Sequence, residues 1–148
     1  MNEQSPYTGY LAWRFTQAMS TRLERDLRTL DLTLAQHHAL RHALLEPGAS
    51  SAEAARRAGI TAQSMGAAVN GLVERGLLER RPHPTNRRVL CLHITDEGRR
   101  LSERALAVVG KANDEALSIL SPEERVTAHD LLRRLAEHLN PDALPPSV

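Results

Sequence analysis

Apolar positions along this chain recur mostly at helical spacing, and the period changes only once. Leu11, Phe15, Met19, Leu23, Leu27 and Leu30 stand mostly four apart with Arg and Glu between them, which predicts a long amphipathic helix from Tyr7 to about Thr29. Thr33 can cap a second helix running to about Leu45, where Pro47 and Gly48 end it. Ser50 followed by Glu53 is a capping box for the short helix SAEAARRA, which stops at Gly59. Thr61 opens a fourth helix whose Met65, Val69, Leu72 and Val73 share one face, ending at Gly76. Beyond it Leu90, Leu92 and Ile94 alternate with Val89, Cys91 and His93, the period of a strand. Leu78 to Arg80 can supply the partner strand, across a loop stiffened by Pro82 and Pro84. Thr95 then caps a long helix carrying Leu101, Ala105, Val108, Val109, Ala112, Ala116 and Leu120. Ser121-Pro122-Glu123-Glu124 supplies N-cap, N1 proline and N3 glutamate of a last helix, with Ala128, Leu131, Leu132, Leu135 and Leu139 as its stripe. Met1 to Pro6 and Pro141 to Val148 read as tails.

This order predicts a mainly α protein, a winged helix-turn-helix with a small β-hairpin wing and dimerisation helices at both ends. Two short helices, Ser51 to Ala58 and Thr61 to Arg75, separated by Gly59-Ile60, have the scale of a helix-turn-helix. The expected organisation is one chain, 1–148, with the winged lobe at 33–98 and dimerisation helices at 7–30 and 99–139. The terminal helices carry more apolar stripe than one small winged domain can cover, so a homodimer is the economical arrangement.

Charge changes the picture through its placement. The chain of 148 residues has a formal charge of only +1, but Arg75, Arg80, Arg81, Arg87 and Arg88, with His83 among them, face the single acid Glu79 between residues 75 and 88. Lys111 is the only lysine, so nearly all the basic charge is guanidinium. The single cysteine, Cys91, excludes an internal disulfide framework. Neither a basic-then-apolar leader nor an apolar run approaching about 18 residues is present, so a soluble cytoplasmic protein with no membrane partner is expected. There is no Gly-rich phosphate loop, no nucleophile with a recognisable base and no carboxylate pair at catalytic spacing, so no enzymatic activity and no cofactor are expected.

The helix from Thr61 points instead to double-stranded DNA. A step of about 100° per residue places Gln63, Ser64, Ala67, Asn70 and Glu74 opposite the apolar face. Gln63 can pair with adenine in bidentate fashion, Ser64 can serve a base or phosphate, and small Gly66 and Ala67 permit close approach to the groove floor. This face carries no positive charge, so affinity is expected from Arg81, Arg87 and Arg88 on the hairpin and from Arg56 and Arg57. Singly, each of these residues is also what a solvated helix face or a soluble turn would carry. A winged domain used only for protein contact is the alternative.

The run LVERGLLERRPHPTNRRVLCLHITDEGRRL, Leu72 to Leu101, resembles the MarR family of bacterial transcription factors, and LTLAQHHALRHAL at Leu32 to Leu44 and the Ser-Pro-Glu-Glu helix start support the match. The resemblance implies a homodimer with interlocked first and last helices, whose recognition helices read a pseudo-palindrome, usually as a repressor released by a small ligand or by oxidation. It also implies that Arg88 is the wing-tip arginine of the minor groove. Asn86 stands where the family usually has an orienting aspartate, so Arg88 is expected to be held less tightly. Ala67 and Gly71 stand where recognition helices of the family are often basic, which shifts readout toward Gln63 and Ser64.

Three features could sense a signal. His38 and His42, beside His37, have the i, i+4 spacing of a helical metal pair, but no third ligand lies nearby in sequence and no metal site is assigned. Cys91 lies mid-strand without a second cysteine, a weak oxidation switch. The ligand cleft that the resemblance implies would be lined by Tyr10, Trp13, Arg14, His38 and His42, with an aromatic acid paired to Arg14 as the candidate effector. The aromatic residues of that stretch are equally a dimer-packing stripe.

Overall fold

The computed structural model describes residues 7–142 and 144; the tail readings for 1–6, 143 and 145–148 lie outside them. Helix α1 (Thr8–Leu27) runs through a 3₁₀ turn, Arg28–Leu30, into Asp31, whose φ of 53° turns the chain back. Helix α2 (Leu34–Leu45) opens with Thr33 and Gln36 in a reciprocal capping box, each side chain bonded to the other's backbone N–H at 3.1 Å. Helix α3 (Ser51–Ala58) starts with the Ser50–Glu53 box and stops at Gly59, where φ is +66°. Helix α4 (Ala62–Glu74) is capped by Thr61 and closed at Gly76, φ +71°. Strands β1 (Leu78–Pro82) and β2 (Leu90–Ile94) pair antiparallel, with Leu78 opposite Ile94, Arg80 opposite Leu92 and Pro82 opposite Leu90. Helices α5 (Asp96–Ala116) and α6 (Pro122–Leu139) complete the chain, each with the N-cap that the sequence predicts, Thr95 and Ser121.

The core lies where the apolar faces of α2, α3 and α4 meet the start of the wing and α5. Leu27, Leu32, Leu40, Met65, Val69, Leu72, Leu78 and Leu92 are all but fully buried there. Arg22 of α1 bonds both Asp26 and Glu115, tying α1 to α5. The other half of α1 and all of α6 stay bare. Tyr7, Tyr10, Leu11, Trp13 and Phe15 are exposed, and α6 buries no residue although Val126, Leu131, Leu132, Leu135 and Leu139 line it.

Two expectations are corrected. Leu120 does not belong to α5, which ends one turn earlier at Ala116. There the Ser118 hydroxyl donates to the Glu115 carbonyl, and the chain must leave helical geometry before Pro122. Pro82, which the sequence places in the loop, instead closes β1 opposite Leu90, and the expected two-stranded wing also gains a bridge from the loop before α3. The Gly48 N–H donates to the Leu92 carbonyl, the Leu92 N–H donates to Ala49, and Ser50 bridges Cys91, so the α2–α3 loop forms a third rung on β2. Cys91 and Leu92 are therefore buried on opposite faces, while Leu90, on the face of Leu92, is 47% exposed because the strand has by then left the body.

Candidate nucleic-acid interface and effector cavity

Gln63, Ser64, Ala67, Asn70 and Glu74 form the exposed face of α4, while Met65, Ala68, Val69 and Leu72 are its buried face. Thr61 holds the first turn. Its hydroxyl oxygen accepts from the Ser64 N–H at 3.0 Å and its proton goes to Ser64 Oγ at 2.9 Å, so Ser64 is fixed at the helix entrance. Beyond the strands, the wing tip is closed by the His83 N–H on the Val89 carbonyl and the Val89 N–H on the Asn86 carbonyl. Asn86 Oδ1 accepts from the backbone N–H of Arg88 at 3.2 Å, so this amide orders the turn rather than the guanidinium expected to lean on it.

The basic run divides by what each side chain already holds. Arg75 donates to the Asp31 carbonyl at 2.6 Å, Arg80 to Asn70 Oδ1, and Arg81 pairs with Glu79 at 2.9 Å. Arg57 reaches Glu46 at 3.3 Å, leaving Arg56 as the exposed cation of α3. Among the described residues, Arg87 and Arg88 hold no internal acceptor with their guanidinium groups, so the uncommitted positive charge sits at the tip.

The ligand-lining residues expected from sequence separate into two groups. His38 and His42 line a cavity of about 270 Å³ between α2 and α3, together with Arg41, Leu45, Glu46, Ala54, Arg57 and Ala58. Tyr10, Trp13 and Arg14 are not there. They stack along the bare half of α1, with the Tyr10 and Trp13 rings 5.8 Å apart and the Arg14 guanidinium 6.0 Å from the Trp13 ring. The physical reason is that α1 meets the body of the chain only from about Leu23 onward, so its first turns cannot reach the cavity within one chain. Sequence reasoning passed over Arg41, although it lies three residues after His38 on the same helical face. Among the described residues no third ligand joins His38 and His42 in a metal cluster.

Burial shapes the histidines. His42 Nε2 and His37 Nδ1 are buried without hydrogen-bond partners. Desolvation pushes His37 from 6.5 down to about 4, and it pushes His38 and His42 down as well. The unfolded chain therefore binds more protons than the folded one between these values. The stabilising contribution of a neutral His37 is complete above about pH 6.5 and is lost as pH falls toward 4. Urea unfolding at pH 5 is expected to show about 2 kcal/mol less stability than at pH 7 from this residue, with a His37→Phe variant flattening the profile. A wild-type profile already flat between pH 7 and 5 would contradict the assignment.

A helix-turn-helix with an exposed polar reading face and an arginine-tipped wing defines the class, a winged helix DNA-binding protein. The MarR family model matches residues 30–89. The HTH-type transcriptional repressor Rv2887 of Mycobacterium tuberculosis is 34% identical over 135 residues, covering 90% of this chain and 94% of that protein. A solved structure of Rv2887 with DNA has a TM-score of 0.75 at 33% identity, covering 86% of this chain and 96% of that one. A structure of Rv2887 with salicylic acid has a TM-score of 0.76 with the same identity, covering 86% and 95%. The PcaV transcriptional regulator of Streptomyces coelicolor, solved with its natural ligand, is 28% identical with a TM-score of 0.72, covering 93% of this chain and 96% of that one. This chain belongs to the MarR family of transcriptional regulators. Among the described residues, no helix is long and apolar enough to cross a membrane.

Proposed function

We propose that the chain is a homodimeric repressor that binds a pseudo-palindromic operator and is released by an aromatic acid. The observation that carries this reading is the exposed face of α4, which bears no positive charge, set beside a wing tip whose Arg87 and Arg88 guanidinium groups hold no partner among the described residues. Gln63, Ser64 and Ala67 read the major groove, Arg88 and Arg87 supply the charge, Asn86 shapes the tip, and Arg81 contributes less because Glu79 already neutralises it. The bare faces of α1 and α6, within 7–30 and 99–139, are the dimerisation surface, and 33–98 is the reading lobe. The absence of catalytic constellations in the sequence agrees with a regulator that is not an enzyme, and cytoplasmic work on DNA follows from the same reading.

The cavity between α2 and α3 suits a small aromatic carboxylate. Leu45, Ala54 and Ala58 offer an apolar floor, Arg41 and Arg57 offer cations, and the orphaned Nε2 of His42 can bond a ring hydroxyl. A carboxylate on Arg57 competes with Glu46, the 3.3 Å ion pair that joins the end of α2 to α3, and so shifts the helix that precedes α4. Tyr10, Trp13 and Arg14 can enter this site only from a second copy. Nuclease protection of the DNA beside the protein's own gene tests both halves. A short pseudo-palindrome should be protected, and salicylate should remove protection from the wild type but not from Arg57→Ala. No protected palindrome would defeat the DNA reading, and release unaffected by Arg57→Ala would defeat the effector site.

A further inference from the structure

The recognition face lacks a cation of its own, yet one reaches it from the wing. Cross-strand partners point to the same face of a sheet, so Leu78, Arg80 and Pro82 share the side of Ile94, Leu92 and Leu90. Leu78 and Leu92 are buried against the body. Arg80, next along that side, emerges where α4 shows Asn70, and its Nη2 donates to Asn70 Oδ1. Glu79 and Arg81 point to the other face and pair with each other. The alternation of one short strand thus sends one arginine to the recognition helix and cancels the next. Asn70 lies on the exposed stripe of α4 between Ala67 and Glu74, the same face as Gln63, so a groove that receives this face comes up against Asn70.

An asparagine amide has one acceptor oxygen and two donor protons on nitrogen. Bidentate reading of adenine uses both, the oxygen accepting from N6 and the nitrogen donating to N7. With Oδ1 held by a guanidinium in a charge-assisted bond, one of its two lone pairs is taken and the amide cannot turn freely to set that oxygen on adenine N6, while its N–H groups stay free for a base. The remaining N–H groups of Arg80 stand beside it. Guanine is the base whose major-groove edge presents two acceptors, O6 and N7, and no donor. We propose that Arg80 is a specificity-determining residue, which holds the Oδ1 of Asn70 toward the wing, leaves its N–H groups for the base and makes the pair select guanine at the base pair Asn70 meets.

The proposal rests on the DNA-reading function above, and its test separates the two. Binding sites are selected from a randomised duplex pool with the wild type, Arg80→Met, Arg80→Lys and Asn70→Ala. The wild type should enrich a palindrome in which one position of each half-site prefers guanine over adenine about tenfold. Arg80→Met, which keeps the aliphatic stem and frees Oδ1, should shift that position alone toward adenine, and Arg80→Lys should restore guanine. Asn70→Ala should erase the preference there and leave neighbouring positions intact. Both residues are exposed, so melting temperatures serve only to verify folding. If Arg80→Met weakens all sequences equally, Arg80 is a phosphate contact and the proposal fails while the DNA function stands. If the wild type enriches no sequence, the DNA reading itself fails.

Discussion

Gly98→Ala is expected to cost more than about 3 kcal/mol and to leave little folded protein. A Cβ at this position would lie 2.0 Å from the Leu77 carbonyl oxygen, 2.9 Å from the Leu77 carbonyl carbon and 3.0 Å from Ile94 Cγ1. Neither side can yield cheaply. The Leu77 carbonyl accepts the Thr95 N–H, the Thr95 hydroxyl donates to the Gly76 carbonyl, and the same hydroxyl oxygen caps α5 through the Gly98 N–H. Moving Leu77 away would break the cap, and moving α5 away would expose Leu101 and Ala105. Gly110 is the control, because it lies in the same helix with nothing within 4 Å of its added Cβ. Gly110→Ala should leave stability unchanged or raise it by about 0.5–1 kcal/mol. Urea midpoints of the two variants decide the matter, and equal midpoints would show that α5 packs on Leu77 more loosely than these distances require.

Arg88→Ala should have the largest effect on DNA binding. Among the described residues its guanidinium holds no partner, so its full charge is available to a phosphate or to a narrow minor groove. An operator affinity weaker by about tenfold or more at physiological salt is expected. The slope of log K against log salt should become shallower by about 0.9 for each phosphate that the variant no longer neutralises. Arg81→Ala, removing a charge that Glu79 already offsets at 2.9 Å, should cost severalfold less. Gel-shift titrations at two or more salt concentrations, with sedimentation to verify an unchanged oligomer, distinguish these outcomes. Unaltered affinity of Arg88→Ala would remove the wing from the interface.

Helix starts and stops were legible because they are local chemistry. Thr33, Ser50, Thr61, Thr95 and Ser121 each cap the helix that the sequence assigns to them, and Gly59 and Gly76 end theirs with positive φ. The exposed face of α4 was legible for the same reason, since one helix has one period. What stayed hidden depends on contacts distant in sequence. The rung at residues 48–50 is too short to show alternation, and Pro47-Gly48 reads only as a stop until Gly48 and Ala49 are seen bonded to Leu92. The α2–α3 cavity depends on how two consecutive helices pack, which neither helix's period states, and nothing in the spacing of α1 told that Tyr10, Trp13 and Arg14 would miss it. The work of Asn86 was hidden by turn geometry, because the same amide oxygen can serve a side chain or a backbone N–H.

The seam of Gly76, Leu77, Thr95 and Gly98 leaves no joint between the wing and the longest helix. Helix α5 has 21 residues, close to 31 Å at 1.5 Å per residue, and its first turn is clamped to the chain entering β1. It therefore behaves as a lever with its short arm in the wing. A tilt of about 5° displaces the far end by roughly 3 Å over that length. Conversely, a modest rearrangement where α5 meets α1 would be carried along the helix to the wing, because the seam ties the first turn of α5 to the chain entering β1.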